Sequence, residues 1–391
     1  MVFQGALRGD RPRDVIRRST IISIISFLTL IDLFGAQALL PQIIVAYKAN
    51  AGLAGVAVNA ATLGMALSGI TVAWFADRID RKRGIWLCLA LLAIPSAALC
   101  LTENIWAFMA LRVVQGTLMA AAFTLTMTFL SEQCEVMAVG GALAAYITGN
   151  VASNLFGRLA AVTMAGATGL SSTFLFFAAL NILGAVFAYV MIGPRDTSPP
   201  KRGGSPVAAW GRHFAVPSLR ATFGIGFLIL FIFVGVFTYV NLYLVKDIGI
   251  APMSLGLVYL IFAPAIITTP LAANQVKKYG PKFALFVSLA TVLGGLVLTL
   301  SGSVWIILTG LAIIGMAIFF AQAAATGYLS KSVTSDRAQA NGLYLTSYYL
   351  GGLTGAVVLG QINMHYGWQG TALVIGAATL LAVFLVRKIR L

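Results

Sequence analysis

Apolar runs about twenty residues long recur from one end of the chain to the other, separated by short polar stretches. Each run is long enough to cross a hydrocarbon core about 30 Å thick as a helix. The pattern predicts twelve spans, at about 20–43, 54–76, 84–102, 104–130, 138–162, 172–193, 221–244, 253–274, 283–301, 304–329, 338–362 and 368–387. Between the sixth and seventh lies GPRDTSPPKRGGSPVAAWGRHFAVPSLR, rich in Pro, Gly and base, which reads as a linker with a short surface helix. The expected organisation is a tail at 1–19, a six-helix bundle at 20–193, the linker at 194–220 and a second six-helix bundle at 221–391.

The two halves match when one is slid along the other by about 200 residues. AWFADRIDRK at 73–82 falls on ANQVKKYGPK at 273–282, so Ala73 meets Ala273, Asp80 meets Gly280 and Lys82 meets Lys282. One span later Trp106 and Gly116 correspond to Trp305 and Gly315, ten apart in both halves. Together these matches predict a parallel six-helix repeat.

Composition fixes the class. Of 391 residues 60% are hydrophobic and 9% charged, and the mean hydropathy is +0.94, a balance foreign to soluble domains. The net charge of +15 raises nucleic acid as a partner, but its distribution answers otherwise. Of 26 Lys and Arg, 22 fall at the two ends or in alternate loops, while the opposite loops hold only Lys48 and Lys246. That is the positive-inside pattern, and it predicts cytoplasmic termini and linker. SEQCEV at 131–136 departs from it with two acids and no base, yet acids weigh little in the rule. Cys88, Cys100 and Cys134 are odd in number and two lie in spans, so packing is expected rather than disulfides. The basic N-terminus followed by a full-length span reads as an uncleaved first helix.

ADRIDRKR between spans two and three, and RVVQG at 112–116, carry a family resemblance. The first resembles the Gly-x3-Asp-Arg-x-Gly-Arg-Lys/Arg loop of the major facilitator superfamily, matched by Asp77, Arg78, Arg81 and Lys82, with Ala73 and Asp80 in place of its glycines. The second resembles the Arg-x2-Gln-Gly motif of the fourth helix in its drug:proton antiporter branch. The resemblance implies two bundles rocking about a central site. In that frame Asp77, with Arg78 and Arg81, is expected to act as a conformational latch, although the bases serve equally to set topology.

Ten of eleven acids sit in loops, tails or span ends, and Asp32 alone lies deep in a span. A carboxylate there costs several kcal/mol unless neutral, paired or facing water, which makes it a functional candidate. Only Arg112 and Arg158 lie within spans to meet it. Arg112 and Gln115 share a helix face, and by resemblance the fourth helix packs beside the first. An Asp32–Arg112 pair is therefore expected, either as a proton-coupling site, with Asp32, Arg112 and Gln115 also contacting substrate, or as a static ion pair fixing the bundle. Arg158, in GNVASNLFGRLAAV, has two readings: a substrate contact, or a side chain reaching the headgroups. That stretch resembles the glycine-rich fifth helix of exporters through Gly149 and Gly157, but has Asn150 after the first glycine and no proline, which counts against export.

Small residues recur every fourth position at Ala60, Gly64 and Ser68 in span two, and at Gly352, Ala356 and Gly360 in span eleven. Such stripes let helices approach closely, and by resemblance these two helices face each other. The second half offers Tyr239, Asn241, Gln322, Asn341, Tyr344 and Tyr348 as substrate contacts or as interhelical hydrogen-bond partners.

The expected protein is a secondary transporter with a small-molecule substrate, protons and the lipid bilayer as partners. It is expected to be a multi-pass protein of the cell (inner) membrane, a working monomer, and to need no cofactor or metal. Proton-coupled efflux of a small organic or amphipathic compound is favoured by the resemblance, with Asp32 as carrier and Arg112 beside it. The alternative is symport or facilitated uptake of a small organic acid held by Arg112 or Arg158. Against an enzyme, the two histidines lie in the linker and an outer loop, and no metal-ligand or phosphate-loop motif is present.

Overall fold

The computed structural model describes residues 12–75, 80–133, 139–192, 206–251, 254–333 and 336–389. These residues are helical apart from short connections, with no strand among them. In order the helices are α1 (Pro12–Ala38), α2 (Leu40–Ala46), α3 (Ala51–Asn59), α4 (Ala61–Phe75), α5 (Arg81–Ala98), α6 (Ile105–Gln133), α7 (Val139–Thr168) and α8 (Leu170–Met191). After the linker come α9 (Pro206–Ala215), α10 (Pro217–Lys246), α11 (Leu255–Val258), α12 (Ala263–Tyr279), α13 (Pro281–Leu298), α14 (Val304–Ser332) and α15 (Arg337–Val386).

Nine stretches of the described residues are long and apolar enough to cross a membrane. The twelve expected crossings follow once three features are counted. The helix α15 is two crossings that turn at Gly367, whose φ of 60° and ψ of −158° suit glycine. The helix α7 supplies another, and α11 and α12, joined by a 3-10 turn at Tyr259–Phe262, supply the eighth. The chain is thus an all-α membrane protein of two six-helix bundles. Within the first, α1 packs on α7, α4 on α6, and α5 on α6 and α8; within the second, α10 packs on α15, and α14 on α12 and α13. The bundles meet along two seams, α3 and α4 against α15, and α7 against α11 and α12.

The repeat extends to close helix contacts. Helices α5 and α13 each have 18 residues and start 200 apart. Their N-caps are Asp80, whose carboxylate accepts from Arg83 N at 2.7 Å, and Gly280 at φ 81°, the pair aligned from sequence. Helices α6 and α14 each have 29 residues, with Trp106 and Trp305 exposed near their starts. Gly116 in α6 sits against the Ala61 backbone of the second crossing, and Gly315 in α14 against Phe262 of the eighth. A further pair escaped sequence comparison: Gly149 in α7 abuts the Ser23 carbonyl of α1, and Gly351 in α15 abuts the Phe227 carbonyl of α10. In each half the fifth helix reaches the first through a glycine, because a Cβ would collide with backbone.

One expected stripe points elsewhere. Gly64 faces the Val113 carbonyl of α6, inside its own bundle. The seam is instead formed by Gly52, Gly55, Asn59, Thr62, Ala66 and Gly69, which meet Met364, Tyr239, Thr238, Gly352 and Thr346. Their spacing alternates three and four, which holds one face of a helix, whereas a strict spacing of four drifts around it. The eleventh-crossing stripe does lie on the seam, through Gly352 against Thr62 and Gly360 against Gly52.

Candidate functional site

Asp32 lies in the C-terminal half of α1 with no exposed surface, and Arg112 of α6 is equally buried. Arg112 Nη1 donates to Asp32 Oδ1 at 3.2 Å and to Gln115 Oε1 at 2.8 Å. Gln115 Nε2 donates to Asp32 Oδ2 at 2.6 Å, so the residue one helical turn from Arg112 closes a ring around the carboxylate. The expected pair is therefore brought together, with Gln115 as its third member.

Two further members were not anticipated. Ser96, just after Pro95 in α5, has its hydroxyl 2.7 Å from Asp32 Oδ2 and 2.9 Å from the Leu92 carbonyl. The same oxygen accepts from Gln115 Nε2 at 2.7 Å and from Asn181 Nδ2 of α8 at 2.9 Å. A serine in a membrane helix commonly bonds back to its own turn, so sequence alone gave Ser96 no distinction. Asn181, a lone amide in the apolar run FLFFAALNILGAVFA, was the available signal. Arg112 also reaches outward: Nη2 donates to Leu33 O at 3.4 Å and Val58 O at 3.2 Å. Val58 lies two residues before the break between α3 and α4, so the charge cluster touches the seam helix directly.

Arg158 does not extend to a headgroup layer. It is fully buried, with Nε on Asn154 Oδ1 at 2.7 Å, Nη1 on the Phe237 carbonyl at 3.0 Å and Nη2 on Gln37 Oε1 at 2.5 Å. Its guanidinium faces the rings of Tyr259 (4.9 Å), Phe262 (5.8 Å) and Phe34 (5.9 Å). Phe237, Tyr259 and Phe262 belong to the second bundle, so Arg158 spans the gap between bundles. Burial by that partner bundle is what removes the snorkelling option. The same layer continues from Gln37 Nε2 to Asn59 Oδ1 (2.8 Å), from Asn59 Nδ2 to Thr238 Oγ1 (3.3 Å), and from Tyr259 to Asn241 Oδ1 (2.7 Å). Asn154, one turn before Arg158, is a partner that helical spacing signals.

Between the bundles and beside this layer is a cavity of about 20 Å³, room for one or two waters. Its walls include Leu33, Phe34, Gln37 and Asn150 from the first bundle and Phe233, Phe319, Gln322 and Tyr348 from the second. Of the candidate substrate contacts, Gln322 and Tyr348 reach it. The buried Gln322 Oε1 and Asn150 Oδ1 have no described hydrogen-bond partner. Tyr344 stacks on Tyr348 with centroids 6.1 Å apart. Tyr239 and Asn241 are committed elsewhere: the Tyr239 hydroxyl donates to the Ala356 carbonyl on the seam, and Asn241 accepts from Tyr259. Asn341 is exposed. Asp77 and Arg78 of the expected latch lie outside the described residues, and Arg81 is the buried first residue of α5. On the linker, Arg212 of α9 donates to Asp336 Oδ2 at 2.7 Å, docking the surface helix beside the start of α15.

The family model described as Major Facilitator Superfamily matches residues 22–263 and 246–390. An uncharacterized transporter of Buchnera aphidicola subsp. Schizaphis graminum is 23% identical over 362 residues, 92% of this chain and 87% of that protein. The uncharacterized MFS-type transporter YybF of Bacillus subtilis is 21% identical over 367 residues, 92% of this chain and 90% of that protein. Among solved structures, a bacterial homologue of the human lysosomal transporter Spinster, in an inward-facing and occupied conformation, superimposes with a TM-score of 0.75 at 17% identity over 97% of both chains. With its bundles, its seams and a match across nearly its whole length, the chain is a multi-pass membrane transporter that belongs to the major facilitator superfamily.

Proposed function

We propose that the chain is a proton-coupled secondary transporter of a small organic or amphipathic solute, with Asp32 as the proton carrier. The observation that carries this reading is the hydrogen-bond count around Asp32. The carboxylate accepts from Arg112, Gln115 and Ser96, an arrangement suited to the ionised acid, which only accepts. A proton on Asp32 brings a donor into a ring already filled with donors. The Ser96 oxygen cannot take it, because both lone pairs are used by Gln115 and Asn181. Protonation therefore forces a rearrangement: the Ser96 hydroxyl turns to Leu92 O, an amide withdraws, and Arg112 loses the charge that holds it. Arg112 is bonded to Val58 O at the break of the second crossing, so the change passes to the seam and alters the balance between inward-open and outward-open forms.

Efflux by antiport is the direction favoured by the Arg112-x2-Gln115-Gly116 motif, in a cell (inner) membrane with both termini cytoplasmic and the monomer as the working unit. Asp77, Arg78 and Arg81, between the second and third crossings, serve as the latch. Uptake of an organic acid is the second reading, and Arg158, a buried cation without an acid beside it among the described residues, favours that chemistry. Purified protein in liposomes with a pH-sensitive dye inside distinguishes them. External solute raises lumenal pH if solute and proton exchange through right-side-in protein, and lowers it if they enter together; no solute-evoked pH change refutes proton coupling.

A further inference from the structure

We propose that the solute is an organic anion with an apolar body, and that Arg158 is the group that recognises its charge. The inference rests on the transporter reading and adds the substrate class to it. Asp32 is the one acid among the buried residues described, and Arg112 is bound to it. Arg158 is thus a second, uncompensated cation in the interior, held by three neutral oxygens and the faces of three aromatic rings.

A buried guanidinium without a counter-charge is costly, and a fixed apolar or amide side chain would serve packing better. The cost is recovered when an anion arrives, since charge-assisted pairs to a carboxylate are the strong ones and a guanidinium presents two parallel donors to it. Position supports this role. Gln37 and Phe34 both touch the guanidinium and line the cavity between the bundles, so a carboxylate entering there has only to displace the Gln37 amide to reach Nη2. The wall suits the body of such a solute once the bundles part enough to admit it: Leu33, Phe233 and Phe319 are apolar, while Asn150 and Gln322 offer amides in the same wall. Arg158 also donates to the Phe237 carbonyl across the gap. An anion that takes this donor releases the second bundle from the first, so recognition of charge and opening of the seam use the same side chain.

The test is equilibrium binding to purified full-length protein in nanodiscs, using three probes of one shape and different charge: 2-naphthoate, 2-naphthamide and 2-naphthylmethylammonium. Wild type is expected to bind naphthoate at least about tenfold more tightly than the amide, and the ammonium least. Arg158→Gln should lose at least about tenfold in naphthoate affinity with little change for the amide, and Arg158→Lys should recover part of it. Preference for the ammonium, equal binding of all three, or no naphthoate binding at millimolar concentration overturns the proposal. If Arg158→Gln does not fold, the charge order measured on wild type decides alone. Binding needs no gradient, so the two readings fail separately. Naphthoate bound and carried without proton movement sinks the coupling role of Asp32 and leaves this one standing. Proton movement evoked by the ammonium and not by naphthoate does the reverse.

Discussion

Asp32 and Arg112 are partners of unequal kind. A carboxyl left alone in the bilayer interior can discharge itself by taking a proton, whereas a guanidinium stays charged. Arg112→Ala should therefore be milder for stability than Asp32→Ala, which strands a buried cation and should cost about 3–5 kcal/mol. Thermal unfolding of the two variants in one detergent orders them, and the opposite order would contradict the ring of bonds around Asp32. Ser96→Ala keeps the ion pair but removes the hydroxyl that must turn, so solute-driven proton movement should fall about tenfold or more while the fold persists; an unchanged rate would remove Ser96 from the mechanism. Asp32, Arg112 and Gln115 were legible in sequence because a charge in an apolar run announces itself and a spacing of three puts two side chains on one face. Ser96 and Asn181 were not, since their distinction lies in converging from α5 and α8 on one carboxylate. The surroundings of Arg158 were hidden for the same reason: its carbonyl partner Phe237 and two of its three ring partners, Tyr259 and Phe262, come from the other bundle.

Among the helices, glycine marks where backbones touch. Gly116→Val would drive a side chain into the Ala61 carbonyl of the second crossing and should destabilise the first bundle by about 1–3 kcal/mol or more, read as a lowered melting temperature. Gly302→Ala, in open space, is the control and should leave it unchanged. The seam gives a mobility test. A Cβ at Gly352 would lie 3.4 Å from Thr62 Cγ2, so the two side chains would meet in contact across the seam. Thr62→Cys with Gly352→Cys, in a background lacking the native cysteines, should cross-link under oxidant and arrest transport, and reductant should restore it. Full transport by the cross-linked protein would mean that this seam does not part. Boundaries of the spans were legible because twenty apolar residues in a row are a length measurement. The seam face was not: the eye finds small residues at a spacing of four, while the face that meets α15 alternates three and four and includes Asn59 and Thr62.

Across the whole molecule, the charge on the solute sets how the membrane potential acts. Exchanging one organic anion outward for one proton inward moves two charges in the same electrical sense, about 4.6 kcal/mol per 100 mV from roughly 2.3 per charge. Carrying the two inward together moves none. A potassium-valinomycin potential imposed on proteoliposomes should therefore accelerate antiport strongly and leave symport nearly unchanged, an electrical criterion for direction that is independent of pH dyes. The duplication behind this architecture was legible through Asp80 with Gly280 and Gly116 with Gly315, because those residues perform the same local task in each half. The asymmetry was legible too: Leu311 stands where the second half would have its equivalent of Arg112. Whether Asp32 carries the proton is read by comparing wild type with Asp32→Asn in two assays on the same proteoliposomes, exchange of labelled solute without a gradient and accumulation driven by an imposed pH gradient. Asp32→Asn should retain exchange and lose accumulation, because the solute path remains while the proton has no carrier. Accumulation at the wild-type level would mean that Asp32 does not carry the proton and is only a structural partner of Arg112.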